Sequence, residues 1–203
     1  MLLNLALVVL AYLAGSLSSA VILCKLMRLD DPRLHGSKNP GTTNVLRLHG
    51  KKVAALTLAG DVVKGLLPVL AAHYLLLRVD SNNLDLVVAL TALAAFCGHL
   101  FPVFFGFNGG KGVATFIGVL FGMYWPLGLA FVGIWLAMAF LFRYSSLAGL
   151  TAAALAPVVS AWLHSSRAYI VTITIMAMLL FWRHRSNIRN LLEGNEDKLD
   201  KNG

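Results

Sequence analysis

The chain has 203 residues, of which 58% are hydrophobic and only 13% charged, a balance that excludes an ordinary soluble globular domain. Its net charge of +8 does not indicate nucleic-acid binding, because the basic residues stand beside apolar segments, where they report membrane topology. The two cysteines, Cys24 and Cys97, lie in apolar stretches without metal-binding spacing, which excludes a disulfide framework and a zinc site.

Seven apolar runs follow one another along the chain and predict membrane helices. They cover residues 2–23, 53–77, 84–105, 113–125, 127–142, 147–163 and 168–182, two of them short. The first run lacks a basic segment before it and is followed by equally apolar runs, so it is interpreted as a span rather than a signal peptide. The predicted fold is an all-α polytopic membrane protein of about seven transmembrane helices, in one domain covering residues 1–203.

The stretch 113–142 allows either one long bent helix or two short helices broken at Trp125 and Pro126, because proline ends or bends a helix. With two helices, 14 of the 17 lysines and arginines fall on one side, against Arg78 and Arg167 on the other. The positive-inside rule therefore favours seven spans, with the N-terminus outside and the C-terminus in the cytoplasm. The outer connections, residues 78–83 and 164–167, are brief, so function is expected at the inner loops.

The first inner loop combines glycines, hydroxyls and amides with nearby cations, a chemistry that suits a phosphate. Glycine lets backbone amides approach an anion, hydroxyls donate hydrogen bonds, and Arg47 can bind phosphate oxygens in bidentate fashion. The candidate residues in this loop are Gly36, Ser37, Asn39, Gly41, Thr43, Asn44 and Arg47. A surface turn that caps the next helix is the alternative, but the loop is longer than a membrane hairpin needs.

The second inner loop leads directly into the fourth span and predicts an anion site at a helix start. Its free amides from Gly109 to Gly112, the helix dipole and the charge of Lys111 would face the cytoplasm. Asn108, Gly110 and Thr115 complete the candidate residues. The spacing from Gly106 to Lys111 does not fit a nucleotide-binding P-loop, and no Ser or Thr follows the lysine. Glycines that only permit helix packing would not explain Lys111 and Asn108.

Ionisable and polar residues occur within or beside other spans. Asp61 and Lys64 stand at i and i+3 in the second span, where they can pair with each other, or Asp61 can orient a neighbouring group. Ser145 follows the fifth span on the inner side. His184 and Asn187 share a helix face if the seventh helix continues, while the neighbouring arginines suit either the site or membrane anchoring.

Two familiar kinds of lipid-modifying enzyme do not fit these residues. The inner loops contain adjacent Asp30 and Asp31 but no aspartate motif for a metal-dependent phosphotransferase. No histidine is followed five residues later by the aspartate of an H-x-x-x-x-D acyltransferase dyad. We therefore expect no cofactor and no metal.

The loops nevertheless resemble those of a known family over the whole chain. Three stretches carry the resemblance: Gly36-Ser-Lys-Asn-Pro-Gly-Thr-Thr-Asn44 with Arg47, Asp61-x-x-Lys-Gly65, and Gly98-His99 through Thr115. Together with Arg183-His-x-x-Asn-Ile-Arg189, they are similar to the bacterial acyl-phosphate:glycerol-3-phosphate acyltransferases. The departures are Lys38 and Thr42, where the family has Gly and Ala.

The resemblance implies transfer of a fatty acyl group from acyl phosphate to the 1-hydroxyl of sn-glycerol 3-phosphate, giving lysophosphatidic acid and phosphate in phospholipid synthesis. It implies catalytic roles for Ser37, Arg47, Lys111, His184 and Asn187. The remaining loop residues and Ser145 would bind substrate, with Gly109 to Gly112 at the donor phosphate. Asp61, Lys64 and His99 would support the site.

The resemblance also implies a setting and partners. The protein is expected in the bacterial cytoplasmic membrane with its site on the cytoplasmic face, in contact with acyl phosphate, glycerol 3-phosphate, the bilayer and a soluble enzyme that forms acyl phosphate. A transporter of phosphate esters or other organic anions is the alternative, because cationic loops and charges inside a span also suit translocation.

Overall fold

The computed structural model describes residues 2–78, 83–163 and 165–199, and within these ranges the chain is helical and contains no strand. The helices are α1 Leu2–Gly15, α2 Ser19–Leu26, α3 Thr42–Arg78, α4 Leu84–Leu100, α5 Val113–Met123, α6 Trp125–Phe142, α7 Ser145–Trp162, α8 Arg167–Arg183 and α9 Arg185–Leu192. One 3-10 turn, Val103–Phe105, lies in the second inner loop. Residues 79–82 and His164, in the predicted outer connections, lie outside the described residues.

Each of the seven apolar runs coincides with a helix, the first with the pair α1 and α2. By length and composition α3, α4 with its 3-10 extension, α6 and α7 can cross a membrane. The pair α1 and α2, bent by 48°, makes a fifth crossing if it is one span. With 11 residues, α5 is about 16 Å long, roughly half the thickness of a hydrocarbon core. Length therefore supports four or five crossings in the described chain, and seven stays a prediction.

The break predicted near Pro126 is present. Tyr124 is extended and separates α5 from α6, with Pro126 in the first turn of α6. The rings of Phe116 and Phe131 are 5.2 Å apart between centroids, whereas residues 15 positions apart in one continuous helix would be separated by about 22 Å. The two helices consequently form an antiparallel hairpin, and the interpretation of one long bent helix is excluded.

Small residues allow the backbones of neighbouring helices to meet. A Cβ at Gly118 of α5 would lie 2.1 Å from the carbonyl oxygen of Val62 on α3. At the crossing of α1 and α4, a Cβ at Gly15 would lie 2.1 Å from the carbonyl oxygen of Ala95. Lipid gives apolar side chains little reason to associate, so close backbone packing of this kind holds the helices together.

The ion pair predicted inside the second span is formed. Lys64 Nζ lies 2.8 Å from Asp61 Oδ1, and both side chains are almost fully buried. The same ammonium group donates a hydrogen bond of 2.7 Å to the carbonyl of Leu17, which lies between α1 and α2. Bending the first span exposes this carbonyl, and the buried pair satisfies it.

Candidate active site

Four segments of the chain meet at one end of the helix bundle. The hydroxyls of Thr43 and Ser145 lie 3.2 Å apart and join α3 to α7. Lys111 of the second loop donates to the side-chain oxygen of Asn187 on α9. Glycine at position 50, with φ +81°, bends α3, so that its first turns form a separate helical piece at this end. The predicted inner loops and the C-terminal segment are thus neighbours in space.

A cleft of about 540 Å³ opens between the two inner loops and the start of α9. Five of the predicted site residues line it: Ser37, Asn39, Asn108, Gly109 and Lys111. The other lining residues are Asp31, Arg33, Leu34, Lys38, Pro40, Arg183, Arg185 and Ser186. Five cationic side chains therefore face a single carboxylate in the described lining, which makes the cleft a site for anions.

The side chain of Asn44 shapes the first loop from inside. It is buried, and its amide nitrogen donates to the carbonyls of Pro32 at 2.8 Å and His35 at 3.1 Å. Its oxygen accepts a hydrogen bond of 3.0 Å from the backbone amide of Ser37. Because these bonds engage both polar atoms, Asn44 holds the loop that presents Ser37 to the cleft.

Two residues of this loop adopt left-handed backbone conformations. Gly36 has φ +60°, and a Cβ there would lie 2.4 Å from the side-chain oxygen of Asn44. Lys38 has φ +57° although it carries a side chain, which costs about 1–2 kcal/mol relative to glycine. Lys38 thus occupies a conformation that glycine would adopt without this cost. A Cβ at Gly41 would meet the amide nitrogen of Asn39 at 2.6 Å.

Asp31 and Arg33 form an ion pair in the cleft wall that the sequence did not single out. The guanidinium contacts both carboxylate oxygens, the shortest distance being 2.6 Å. The hydrogen bond from Arg33 lowers the pKa of Asp31 below its usual value. The only signal was the spacing of Asp and Arg around Pro32, which is too common to mark a site.

The second loop is folded tightly against the end of α4. A Cβ at Gly109 would lie 2.0 Å from the carbonyl oxygen of His99, and one at Gly110 would lie 2.3 Å from His99 Nε2. The backbone amide of Gly110 donates 3.2 Å to that carbonyl of His99. The prediction that the amides from Gly109 to Gly112 are all free is therefore wrong at Gly110, because its amide bonds to α4. At Gly112, φ is +96° and a Cβ would meet the Phe96 ring.

Arg183, at the end of α8, binds the second loop from the side of the cleft. Its Nη2 donates 2.5 Å to the carbonyl of Gly109 and its Nε donates 3.1 Å to that of Gly110. From the sequence, Arg183 was compatible with a role either in the site or in membrane anchoring. Its position at the head of the last motif was the available signal, but the partners lie more than 70 positions away.

Lys111 belongs to a hydrogen-bond network that runs into the C-terminal segment. It donates to Asn187, whose amide donates 2.7 Å to Glu196 Oε1. The same carboxylate oxygen accepts 2.5 Å from the hydroxyl of Ser146. Burial lowers the pKa of Lys111, while the negative charge of Glu196 acts in the opposite direction. The role of Glu196 was not predicted, because one glutamate in a polar tail has no distinguishing pattern.

Arg47 lies near enough to Lys111 to influence its charge, but it is not among the residues that line the cleft. Its guanidinium is 3.3 Å from Asp197 Oδ2, and its positive charge contributes to lowering the pKa of Lys111. Both side chains of the pair are partly exposed. Arg47 is consequently close to Lys111, and its ion-pair partner is Asp197 of the C-terminal segment.

His184 is buried between α8 and α9. Its Nδ1 lies 2.8 Å from the carbonyl oxygen of Leu180, and a carbonyl can only accept, so Nδ1 carries the proton. Burial lowers the pKa of His184 to about 4, so the ring is neutral at pH 7. Its Nε2 is therefore left with a lone pair that can accept a hydrogen bond.

Four predicted residues lie beneath the cleft rather than in it. Thr115 is fully buried, and a Cβ at Gly65 of α3 would lie 2.6 Å from its carbonyl oxygen. His99 stands between the second loop and the buried ion pair, with its Nδ1 at 3.7 Å from Asp61 Oδ1. Asp61, Lys64 and His99 thus lie where a supporting role was expected, whereas Thr115 contributes to the packing of α5 on α3.

Comparison with known proteins identifies the family. The sequence model of the glycerol-3-phosphate acyltransferases matches residues 5–194. The glycerol-3-phosphate acyltransferase of Hydrogenovibrio crunogenus is 51% identical to this chain, over 94% of this chain and 89% of its own length. That of Methylococcus capsulatus is 53% identical, over 93% of this chain and 92% of its own length. The crystal structure of PlsY (YgiH), an integral membrane glycerol 3-phosphate acyltransferase, in its glycerol 3-phosphate form, is similar with a TM-score of 0.89 at 38% identity, covering 96% of this chain and 94% of that one. Its lysophosphatidic acid form gives a TM-score of 0.87. The chain therefore belongs to the glycerol-3-phosphate acyltransferase family.

Proposed function

We propose that this protein transfers a fatty acyl group from acyl phosphate to the 1-hydroxyl of sn-glycerol 3-phosphate. The observation that carries the proposal is the cleft at one end of an apolar bundle, in which five cationic side chains face one carboxylate. Both substrates carry a phosphate, and one also carries a long acyl chain. A cationic cleft bordered by lipid accommodates both.

We assign the site residues to three proposed roles. Ser37, Arg47, Lys111, His184 and Asn187 are proposed to act on the reacting groups, with Lys111 and Arg47 supplying positive charge where negative charge develops. Asn39, Asn108 and the second glycine loop are proposed to hold phosphate oxygens. Asn44, Gly36, Thr43 and Ser145 shape the first loop, and Asp61, Lys64 and His99 support the second.

The chemistry needs no covalent enzyme intermediate, because an acyl phosphate is already activated. The hydroxyl oxygen of glycerol 3-phosphate attacks the acyl carbonyl carbon, the bond from that carbon to the phosphate oxygen breaks, and inorganic phosphate leaves. The hydroxyl proton ends on the departing phosphate, which balances the reaction. Asp31 is a poor base, because Arg33 holds its pKa low. Positioning and charge stabilisation are then the enzyme's contribution.

The same proposal gives the protein its place in the cell. A single domain of residues 1–203 would lie in the bacterial cytoplasmic membrane with seven spans, its N-terminus outside and its cleft and C-terminus in the cytoplasm. The soluble enzyme that forms acyl phosphate would deliver the donor to this face. Labelling a Lys51→Cys variant in intact cells tests the orientation: a membrane-impermeant thiol reagent that reacts before the cells are opened would contradict it.

The activity is tested with purified protein, acyl phosphate and radiolabelled glycerol 3-phosphate. We expect equal amounts of lysophosphatidic acid and inorganic phosphate. Lys111→Ala and Arg47→Ala should each lower kcat/KM by about 10²- to 10³-fold, the usual effect of removing a group that stabilises developing charge. Lys52→Ala, which removes an exposed cation of α3, is the matched control and should retain activity.

Two results would overturn the proposal. Correctly folded protein that forms no lysophosphatidic acid would exclude the enzyme, and uptake of glycerol 3-phosphate into proteoliposomes would favour the transporter alternative. The structure offers that alternative little support, because a carrier needs a site near the midplane that both faces can reach. Here the cationic cleft lies at one end of the bundle.

A further inference from the structure

The second glycine loop presents its carbonyl groups, as well as amides, on the side of the cleft. The carbonyl oxygens of Gly109 and Gly110 both accept hydrogen bonds from Arg183, and the amide of Gly110 is committed to His99. A carbonyl oxygen carries partial negative charge. Left without a cationic partner, two successive carbonyls would repel the phosphate that this loop is proposed to bind.

The guanidinium of Arg183 has the geometry to neutralise both carbonyls at once. Its Nη2 and Nε donate at 2.5 Å and 3.1 Å to oxygens of consecutive residues, as the planar fork of arginine allows. The side chain also lines the cleft next to Lys111, so its positive charge remains on the substrate side. A lysine could supply the charge but not two donors in one plane.

We propose that Arg183 is a positioning residue for the transfer reaction. By binding the carbonyls of Gly109 and Gly110, it holds the backbone that carries Lys111 and turns the edge of this loop from negative to positive. Its effect is on the affinity for the phosphate group of the substrate that occupies the second loop. This inference rests on the proposed function, since it assigns a role within the same site.

The test compares Arg183→Lys with Arg167→Lys. Both change an arginine at one end of α8, but Arg167 is exposed at the end remote from the cleft. In the protein without substrate, Arg183→Lys should speed amide hydrogen exchange in residues 106–112, because a lysine cannot keep both hydrogen bonds to the loop. Arg167→Lys should leave that exchange unchanged.

Kinetics supply the second measurement. Losing hydrogen bonds to a charged group should raise KM for glycerol 3-phosphate or for acyl phosphate by about 10- to 100-fold, with kcat within about threefold of the parent. The substrate whose KM rises is the one whose phosphate lies on this loop. Arg167→Lys should change neither KM.

Three results would overturn the inference. Unchanged loop exchange in Arg183→Lys would make Arg183 a direct phosphate ligand or an anchor, and unchanged KM values would remove it from substrate affinity. A fall in kcat at constant KM would place it on the reacting atoms instead. If Arg183→Lys does not fold, Arg183→Gln, which keeps one amide donor, is judged by the same criteria. A parent protein that forms no lysophosphatidic acid, while Arg183→Lys still speeds amide exchange in residues 106–112, would refute the proposed function. That result would not refute the contact by which Arg183 holds the second loop.

Discussion

Replacing Asn44 with Asp tests how the first inner loop is held together. The two side chains have nearly the same shape, but the substitution turns the amide nitrogen into a carboxylate oxygen. That nitrogen donates to the carbonyls of Pro32 at 2.8 Å and His35 at 3.1 Å. In Asn44→Asp, two favourable contacts therefore become two oxygen–oxygen repulsions in a buried position.

The size of the effect follows from these contacts. Each lost hydrogen bond contributes about 1 kcal/mol, and leaving the Pro32 carbonyl without a donor costs about 1–3 kcal/mol more. The His35 carbonyl keeps a donor, because it also accepts a hydrogen bond from the backbone amide of Lys38. The bond from the Ser37 amide survives, because a carboxylate still accepts it. The loop conformation that presents Ser37 should thus be disfavoured by about 3–5 kcal/mol, which corresponds to a fall in kcat/KM of at least about 100-fold.

The assay is the same acyl transfer, with Asn190→Asp as the matched control. Asn190 lies on α9 near the same end of the molecule, and its side chain forms no hydrogen bond within the described residues. We expect the control to keep both the activity and the melting temperature of the parent. Activity of Asn44→Asp within threefold of the parent would refute the reasoning.

Three further predictions follow from the packing and the charges. Gly118→Ala should lower the melting temperature in detergent, since its Cβ would lie 2.1 Å from a carbonyl oxygen of α3. Gly133→Ala, whose Cβ would have no atom within 4 Å, should leave the melting temperature unchanged. Equal melting temperatures of the two variants would contradict the close contact. Glu196→Gln should reduce both activity and melting temperature, because it weakens the acceptor of the hydrogen bonds from Ser146 and Asn187. Asp197→Asn should change the melting temperature little, because the Asp197 side chain is 56% exposed. A larger fall in melting temperature for Asp197→Asn than for Glu196→Gln would be inconsistent with the network. The pKa of His184 is about 4 in the folded protein and near 6.5 when unfolded, so its contribution to stability, at most about 3 kcal/mol, is full above pH 6.5 and is lost as the pH falls towards 4. Denaturant unfolding should show this slope in the parent and lose it in His184→Gln.

Local features of the chain were predictable from the sequence. The apolar runs coincide with helices because a membrane requires every backbone group to bond within its own segment. Pro126 marked the reversal near Tyr124, and Asp61 with Lys64 predicted a pair, since residues three apart share a helix face. These inferences depend on spacing along one segment.

Contacts between distant segments were decided by the tertiary structure. Thr115 stands three positions from Gly112, yet it faces α3 instead of the cleft, because the rotation of α5 follows from its packing at Gly65 and Gly118. Asn44 was expected at the substrate but is engaged by its own loop. Neither outcome is encoded in the spacing of the motif.

The sequence by itself determined that this is a membrane protein, the order of its helices, and the glycine, polar and cationic residues of its two inner loops. Only the tertiary structure decided which groups of those loops line the cleft. The Gly110 amide donates to the carbonyl of His99, and Arg183 donates to the carbonyls of Gly109 and Gly110. Glu196 accepts a hydrogen bond from Asn187, the partner of Lys111. The physical reason is that apolar burial and helix length are properties of a segment. A hydrogen bond between two segments exists only once both have been oriented by packing against the rest of the bundle.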